Sequence, residues 1–175
     1  MQIVPATLGD ARAVAQIHVD SWRAAYRDIL AADYLASLSV DKREAMWRRA
    51  IESGETHLLV AKGGGDGRDV LGWISFAGCR DAGAPATQAE IWALYVAPRA
   101  WTLGVGRGLW AHARDRMRAQ GYTSCSLWVF AQNERAIRFY RAAGFAPAPL
   151  PEQTFELGGR QLREVCYVCR LGDAG

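Results

Sequence analysis

The strongest constraint on the fold is a nearly continuous apolar run, Ala89 to Val96, that ends before Pro98. A run of this length without polar alternation is typical of a β-strand covered on both faces. It is followed by a glycine-containing loop and then by a helical pattern from Gly104 to Gln120. A buried strand that leads through a short loop into a long helix predicts a domain of the α/β type.

Shorter patterns supply the remaining elements. Thr7 and Asp10 have the spacing of a capping box, and Ser39 and Asn133 stand at the starts of two further helical patterns. Four glycines between residues 62 and 69 predict a hairpin turn. The resulting order, β-α-α-β-β-β-α-β-α-β-β, predicts one mixed α/β domain.

Composition restricts the classes of partner. The 175 residues include 21 Lys and Arg against 18 Asp and Glu, and a net charge of +3 does not indicate nucleic acid. No apolar run approaches the roughly 20 residues of a membrane span. The first ten residues lack the basic and apolar regions of a secretory signal. We therefore expect a cytoplasmic protein with no nucleic-acid partner and no membrane segment.

The cysteines and histidines do not form a metal-ligand pattern. Cys166 and Cys169 form a C-x-x-C motif inside a predicted strand, where residues three apart point to opposite faces. No second cysteine pair completes a four-ligand zinc site. His18, His57 and His112 are far apart in the sequence. We predict buried or half-buried thiols, surface or half-buried histidines, and no metal.

The segment from Pro98 to Leu109 reads P-R-A-W-T-L-G-V-G-R-G-L. The first turn of the helix that it opens carries unpaired N–H groups and the positive end of the helix dipole. Glycines at 104, 106 and 108 let a phosphate approach this backbone, and Arg107 adds a charge. The segment predicts a pyrophosphate site, with a tight turn that binds nothing as the alternative. The spacing fits neither a P-loop nor the dinucleotide fingerprint, so NAD is disfavoured.

Three polar side chains near these elements are candidates for chemistry. Asn133 and Tyr140 are seven residues apart and share one helix face, where the small Ala136 leaves room for a ligand chain. Glu90 lies near the start of the apolar run, where a carboxylate either reaches solvent or is held as a general base. The structural alternatives are a helix cap for Asn133, a core aromatic for Tyr140 and a solvent-facing carboxylate for Glu90.

Three segments carry a resemblance to a known family: A-E-I-W-A-L-Y-V-A-P, W-T-L-G-V-G-R-G-L and L-W-V-F-A-Q-N-E-R-A-I-R-F-Y-R-A-A-G-F. In this order and spacing the chain resembles the GNAT superfamily of acyl-CoA-dependent N-acetyltransferases. The N-terminal S-W-R-A-A-Y is also similar to many bacterial members. The resemblance implies a single N-acetyltransferase domain over residues 1–172. Its fold would be mixed α/β (α+β), a central, mostly antiparallel twisted sheet of about seven strands with about four flanking helices.

The resemblance also implies acetyl-CoA as the co-substrate. The family's phosphate loop, R/Q-x-x-G-x-G/A, is matched by Gly104 and Gly106, whereas Trp101 stands at its first position and Thr102 where glycine is common. That departure affects any phosphate contact from the side chain at position 101. It leaves unchanged the backbone N–H groups that would bind the phosphate. The residues that the resemblance assigns to acetyl-CoA are Leu94, Tyr95, Val96, Leu103, Gly104, Val105, Gly106, Arg107, Gly108, Asn133, Ala136 and Tyr140.

The implied reaction is direct attack of a primary amine on the thioester, with no metal and no covalent enzyme intermediate. Glu90, acting through a water, is the predicted base, and Tyr140 is the predicted proton or hydrogen-bond donor to the leaving thiolate. A backbone N–H between Leu94 and Val96 is predicted to meet the oxyanion. The predicted acceptor-binding residues are Trp22, Tyr26 and Trp92, for which ordinary core packing is the alternative.

The sequence is also compatible with other functions. The same motifs suit a non-catalytic acyl-CoA-binding module, and the glycine loop suits a nucleotide-binding oxidoreductase. The acceptor is a small-molecule or a peptide amine, so a protein-modifying acetyltransferase is a further alternative. The sequence leaves the oligomeric state open, with a homodimer through the final strands as one alternative.

Overall fold

One sheet, with helices packed against it, forms the part of the chain that the computed structural model describes, residues 1–64 and 69–172. The strands are β1 (Gln2–Pro5), β2 (His57–Gly63), β3 (Asp69–Gly78), β4 (Gln88–Val96), β5 (Ser124–Phe130), β6 (Ala146–Pro147), β7 (Gln153–Leu157) and β8 (Arg160–Arg170). The helices are α1 (Ala11–Ala25), α2 (Ala32–Ala36), α3 (Val40–Ser53), α4 (Val105–Ala119) and α5 (Glu134–Ala142).

The predicted fold class is confirmed, with one more strand and one more helix than predicted. Both additions are short: α2 has five residues and no side-chain cap, and β6 has two. Neither is long enough to show a period in the sequence. The predicted hairpin joins β2 and β3, which pair antiparallel, but its turn residues 65–68 lie outside the described residues.

The predicted helix caps are confirmed by hydrogen bonds. The backbone N–H of Thr7 donates to Asp10 Oδ2 at 2.8 Å. The Ser39 hydroxyl accepts from the N–H of Lys42 at 3.3 Å, and Asn133 Oδ1 accepts from the N–H of Ala136 at 3.2 Å. The first bond fixes the start of a short 3-10 turn, Leu8–Asp10, that leads into α1, and the other two fix where α3 and α5 begin.

The sheet has the order β1-β2-β3-β4-β5-β8-β6. β7 pairs with the first half of β8, residues 160–164. Neighbouring strands are antiparallel except for β4 and β5, which are parallel. The β4–β5 pairing covers only Gln88–Glu90 against Ser124–Ser126. Beyond this short ladder the two strands diverge, so a gap opens in the middle of the sheet.

The gap changes the environment of the apolar run that predicts β4. Only Ala89, Glu90 and Ile91 are buried, whereas residues 92–96 are half-buried. The expectation that both faces are covered is therefore wrong for the second half of the strand, which still pairs with β3 but no longer has β5 along its other edge. Pairing with β3 skips Trp92, so this residue forms a bulge that re-aims the side chains around it.

Apolar side chains of α4 fill the core on one face of the sheet. The side chains predicted to point inward are all buried: Val105, Leu109, Trp110, Ala113 and Met117. A second, smaller apolar cluster forms beyond the end of α1 from Tyr26, Leu30, Leu35, Phe130 and Leu162. Among the described residues, none of the helices combines the length and apolarity that crossing a membrane requires.

The four cysteines are free thiols, and Cys125, Cys166 and Cys169 are buried. In the sheet, Cys166 lies opposite Trp128 and Cys169 opposite Cys125. Burial raises the pKa of Cys166 to about 11 and that of Cys169 to about 12, so both are protonated thiols at neutral pH. Within residues 1–64 and 69–172 no group of His, Cys, Asp or Glu is arranged to hold a metal.

Candidate active site

A cleft of about 540 Å³ occupies the gap between β4 and β5. Its walls come from the second half of β4, the first turn of α4, α5, the end of α1, β5 and the β7–β8 hairpin. Because the β4–β5 ladder stops at Glu90, backbone N–H and C=O groups on the inner edges of both strands face this cleft instead of each other. An unpaired strand edge can pair with an extended ligand chain.

The first turn of α4 forms one end of the cleft. Gly104 adopts φ of +79° as the N-cap, a conformation that favours glycine. Intrahelical bonding starts with the N–H of Gly108 donating to the carbonyl of Gly104 at 3.0 Å. The N–H groups of residues 105–107 therefore have no intrahelical partner, and these residues line the cleft. This is a site for an anion.

Two arginines lie at the same end. Arg107 and Arg135 both line the cleft, and Arg135 was not among the residues predicted from the sequence. The Arg135 guanidinium stacks 3.5 Å from the centroid of the Trp101 ring, whose Nε1 donates to the carbonyl of Val96 at 2.8 Å. Trp101 stands at the loop position where the resemblance leads us to expect Arg or Gln, and the stack places a cation against it.

Asn133 and Tyr140 line the middle of the cleft together with Ala136, as predicted from their shared helix face. Asn133 also caps α5, so its structural alternative holds as well. Tyr140 is 8% exposed, and no hydrogen bond within the described residues involves its hydroxyl. Burial raises the pKa of Tyr140 above its ordinary value, so the phenol stays protonated and can act as a donor.

Glu90 does not reach the cleft. It is 2% exposed, and its Oε1 accepts from Nη2 of Arg80 at 2.5 Å. Its Oε2 accepts from the backbone N–H and from Nε of Arg80 at 3.0 and 3.1 Å. The sequence suggested Glu90 as the base because it begins a buried strand, but the pairing with Arg80 occupies both of its oxygens. Neither the solvent-facing alternative nor the predicted catalytic role fits this position.

A different carboxylate, Glu164 on β8, faces the cleft. It lies opposite Phe130 in the sheet and is half-buried. No hydrogen bond or ion pair within the described part of the chain involves its carboxylate. Desolvation raises the pKa of Glu164, an effect that nearby Arg80 reduces. Sequence reasoning missed Glu164 because its only signal is one acid ahead of the apolar stretch V-C-Y-V-C.

Aromatic side chains surround the end of the cleft that holds Glu164. The three predicted acceptor-binding residues, Trp22, Tyr26 and Trp92, all line it. Four further side chains complete this wall and were not predicted: Trp128, Phe130, Phe155 and Leu157. Trp22 Nε1 donates to the Tyr95 hydroxyl at 2.8 Å, and Trp128 Nε1 donates to both carboxylate oxygens of Asp81 at 3.2 Å.

Two of the residues assigned to acetyl-CoA lie away from the cleft. Gly108 faces β1, where an added Cβ would lie 2.9 Å from Met1 Cε and 3.1 Å from Ile3 Cδ1. This glycine therefore serves close packing and not ligand approach. The Leu103 side chain is 68% exposed and does not line the cleft. The assigned residues that do line it are Leu94, Tyr95, Val96, Gly104, Val105, Gly106, Arg107, Asn133, Ala136 and Tyr140.

His18 lies behind the aromatic wall. It is 6% exposed, so the prediction of a surface or half-buried histidine is wrong. Its ring stacks on Tyr95 at 5.2 Å, and its Nδ1 accepts from Trp47 Nε1 at 3.2 Å. Burial, with a smaller effect of Arg43, lowers the pKa of His18 to about 3. The imidazole is therefore a neutral part of the support for the cleft.

Known proteins resemble this chain in sequence. The family model described as acetyltransferase (GNAT) family matches residues 14–145. The chain is 33% identical over 160 residues to YuaI, an uncharacterized N-acetyltransferase of Bacillus subtilis, covering 91% of this chain and 87% of YuaI. It is 23% identical over 147 residues to a spermidine N(1)-acetyltransferase of Thermoplasma acidophilum, covering 83% of this chain and 88% of the relative.

Solved structures resemble the fold as well. The crystal structure of PaiA N-acetyltransferase from Thermoplasma acidophilum in complex with coenzyme A superimposes with a TM-score of 0.76. The two sequences are 21% identical, and the match covers 97% of this chain and 99% of PaiA. With the family model covering most of the chain and a relative above 30% identity along nearly its whole length, this protein belongs to the acetyltransferase (GNAT) family.

Proposed function

We propose that this protein transfers the acetyl group of acetyl-CoA to a primary amine that attacks it directly. The observation that carries the proposal is the polarity of the cleft between β4 and β5. Two arginines and the unpaired N–H groups of α4 lie at one end, and Glu164 lies at the other. Such a cleft suits an anionic acyl donor and a cationic acceptor that meet in the middle.

The residues present fit coenzyme A. Its diphosphate matches the α4 N-terminus, because three N–H groups and the side chains of Arg107 and Arg135 supply donors and positive charge there. Its amide-containing arm matches the open inner edge of β4, and Ala136 leaves space beside it. An adenosine phosphate without such an arm would leave the β4 edge unpaired.

Acetyl-CoA supplies a thioester, whose carbonyl carbon is open to attack by an amine. Glu164 accepts the proton that the ammonium form of the acceptor must lose, and its raised pKa makes it a better base than an ordinary carboxylate. A backbone N–H of residues 94–96 donates to the acyl oxygen. Tyr140 donates its proton to the sulfur. An N–C bond forms, the C–S bond breaks, and the net products are the amide, the thiol and one proton.

The base in this proposal is Glu164 and not Glu90, because only Glu164 faces the cleft. Spermidine, for which the Thermoplasma relative is named, belongs to the same reaction class because it carries primary amines. A peptide amine belongs to it as well.

The proposal is tested by calorimetry with acetyl-CoA, followed by a thiol-release assay on a panel of amines. We expect acetyl-CoA to bind and at least one amine to release coenzyme A in proportion to amide formed. Binding without thiol release on any amine would identify a non-catalytic acyl-CoA-binding module. A melting temperature raised by a nicotinamide cofactor and not by coenzyme A would instead support an oxidoreductase.

A further inference from the structure

The acceptor end of the cleft differs in character from the cofactor end. Among the described residues that line the cleft, three side chains carry a formal charge at neutral pH: Arg107, Arg135 and Glu164. The two arginines belong to the α4 end. Glu164 is therefore the only anion of the described lining, and the rest of its surroundings are aromatic and aliphatic.

The charges near Glu164 do not change this balance. Arg80 and Glu90 are paired with each other by three hydrogen bonds, and they shift the pKa of Glu164 in opposite directions. Asp81 receives the indole N–H of Trp128 and does not line the cleft. The acceptor end thus provides one carboxylate, that of Glu164, to bind one positive charge on the acceptor.

The walls define what the rest of the acceptor can be. Tyr26, Phe130 and Leu162 form a buried apolar cluster against which Trp22, Phe155 and Leu157 pack. A carbon skeleton lying on this surface loses contact with water at no polar cost. A second ammonium would lose its hydration without a counter-ion, and a carboxylate on the acceptor would also be repelled by Glu164.

We infer that the acceptor is a primary amine with a single positive charge on an apolar body, held at its ammonium by Glu164 and along its carbons by the aromatic wall. This inference rests on the proposed function and names the substrate class of the same cleft. It separates monoamines from diamines, polyamines and amino acids, all of which carry the same reactive group.

A matched series of four-carbon amines tests it, because n-butylamine, 1,4-diaminobutane and 4-aminobutanoate differ only at the far end. With 2-phenylethylamine as an aromatic monoamine, we expect kcat/KM for both monoamines to exceed that of the other two by about tenfold or more. A direct binding readout is the change in tryptophan fluorescence on titration with each amine without acetyl-CoA, since Trp22, Trp92 and Trp128 line the cleft.

Variants assign the selectivity to Glu164. Glu164→Gln should lower kcat/KM for n-butylamine by about 100-fold and should reduce the preference over 4-aminobutanoate, because the repulsion is lost. Glu156→Gln is the matched control, since Glu156 is exposed in the same hairpin and does not line the cleft. An unchanged preference in Glu164→Gln would contradict the assignment.

The outcomes separate this inference from the proposed function. If 1,4-diaminobutane or 4-aminobutanoate reacts as well as n-butylamine, or if only a peptide amine is acetylated, the inference is overturned while the acetyltransferase proposal stands. If acetyl-CoA does not bind and no amine releases thiol, both are overturned.

Discussion

His18 should make this protein sensitive to acid. A histidine takes up a proton in the unfolded chain with a pKa of about 6.5, whereas burial lowers the pKa of His18 in the folded protein to about 3. Because the unfolded state binds the proton more tightly, the free energy of unfolding falls as the pH drops below 6.5. The stabilising contribution of the neutral imidazole is complete above that pH.

The size of the effect follows from the shift in pKa. Each pKa unit is worth about 1.36 kcal/mol, so the full loss below pH 3 is about 5 kcal/mol, and about 2 kcal/mol is already lost at pH 5. His18 is nine-tenths buried among Trp22, Trp73 and Tyr95, so little solvent is available to screen a charge there. A loss of 2 kcal/mol is a large fraction of the stability of an ordinary domain.

Urea unfolding at pH 7, 6 and 5 measures this effect when the wild type is compared with His18→Gln. Glutamine keeps an acceptor for Trp47 Nε1 but does not titrate, so the difference in unfolding free energy should change by about 2 kcal/mol between pH 7 and pH 5. His112→Gln, which replaces an exposed histidine, should follow the wild type. A difference between wild type and His18→Gln that stays constant with pH would refute the reasoning.

Four further variants or profiles test the site. Tyr140→Phe should lower kcat by about 10- to 1,000-fold and leave the Kd for acetyl-CoA nearly unchanged, because only a proton donor is lost; kinetics and calorimetry check both. Arg135→Ala should raise the KM for acetyl-CoA about tenfold but not that for S-acetylpantetheine, which lacks the diphosphate. Glu90→Gln should lower the free energy of unfolding in urea by about 1–3 kcal/mol, because it weakens the pair with Arg80, while kcat/KM changes less than about tenfold. The pH profile of kcat/KM should lose activity as the pH falls through the raised pKa of Glu164, and Glu164→Gln should lack this limb.

Features of the site that depend on neighbours in sequence could be predicted. The caps at Thr7, Ser39 and Asn133 need only a hydrogen bond across one helical turn, so their spacing is sufficient. The same holds for the placement of Ala136 and Tyr140 on one face of α5. The glycine loop was also found, although Gly108 turned out to pack against β1, which is more than 100 residues away in the chain.

Features that depend on distant partners could not be predicted. Glu90 and Glu164 are both lone acids beside apolar strand residues, and the sequence gives no reason to prefer the second. The difference lies in Arg80, which comes from the loop after β3 and occupies both oxygens of Glu90. Arg135 is similar, because its position depends on a ring 34 residues earlier in the chain.

The short β4–β5 ladder accounts for most of what distinguishes this cleft. Had the pairing continued past Glu90, residues 92–96 would have been covered as the apolar run predicts, and the inner edge of β4 would have bonded to β5. The Glu164 side chain would then have faced packed neighbours, where an unpaired carboxylate is costly. The divergence therefore removes pairing that would have stabilised the sheet, and in the same place it opens the strand edge and the acidic end that we assign to the two substrates. A chain that closed this gap would gain stability and lose the place where an amine and a thioester can meet.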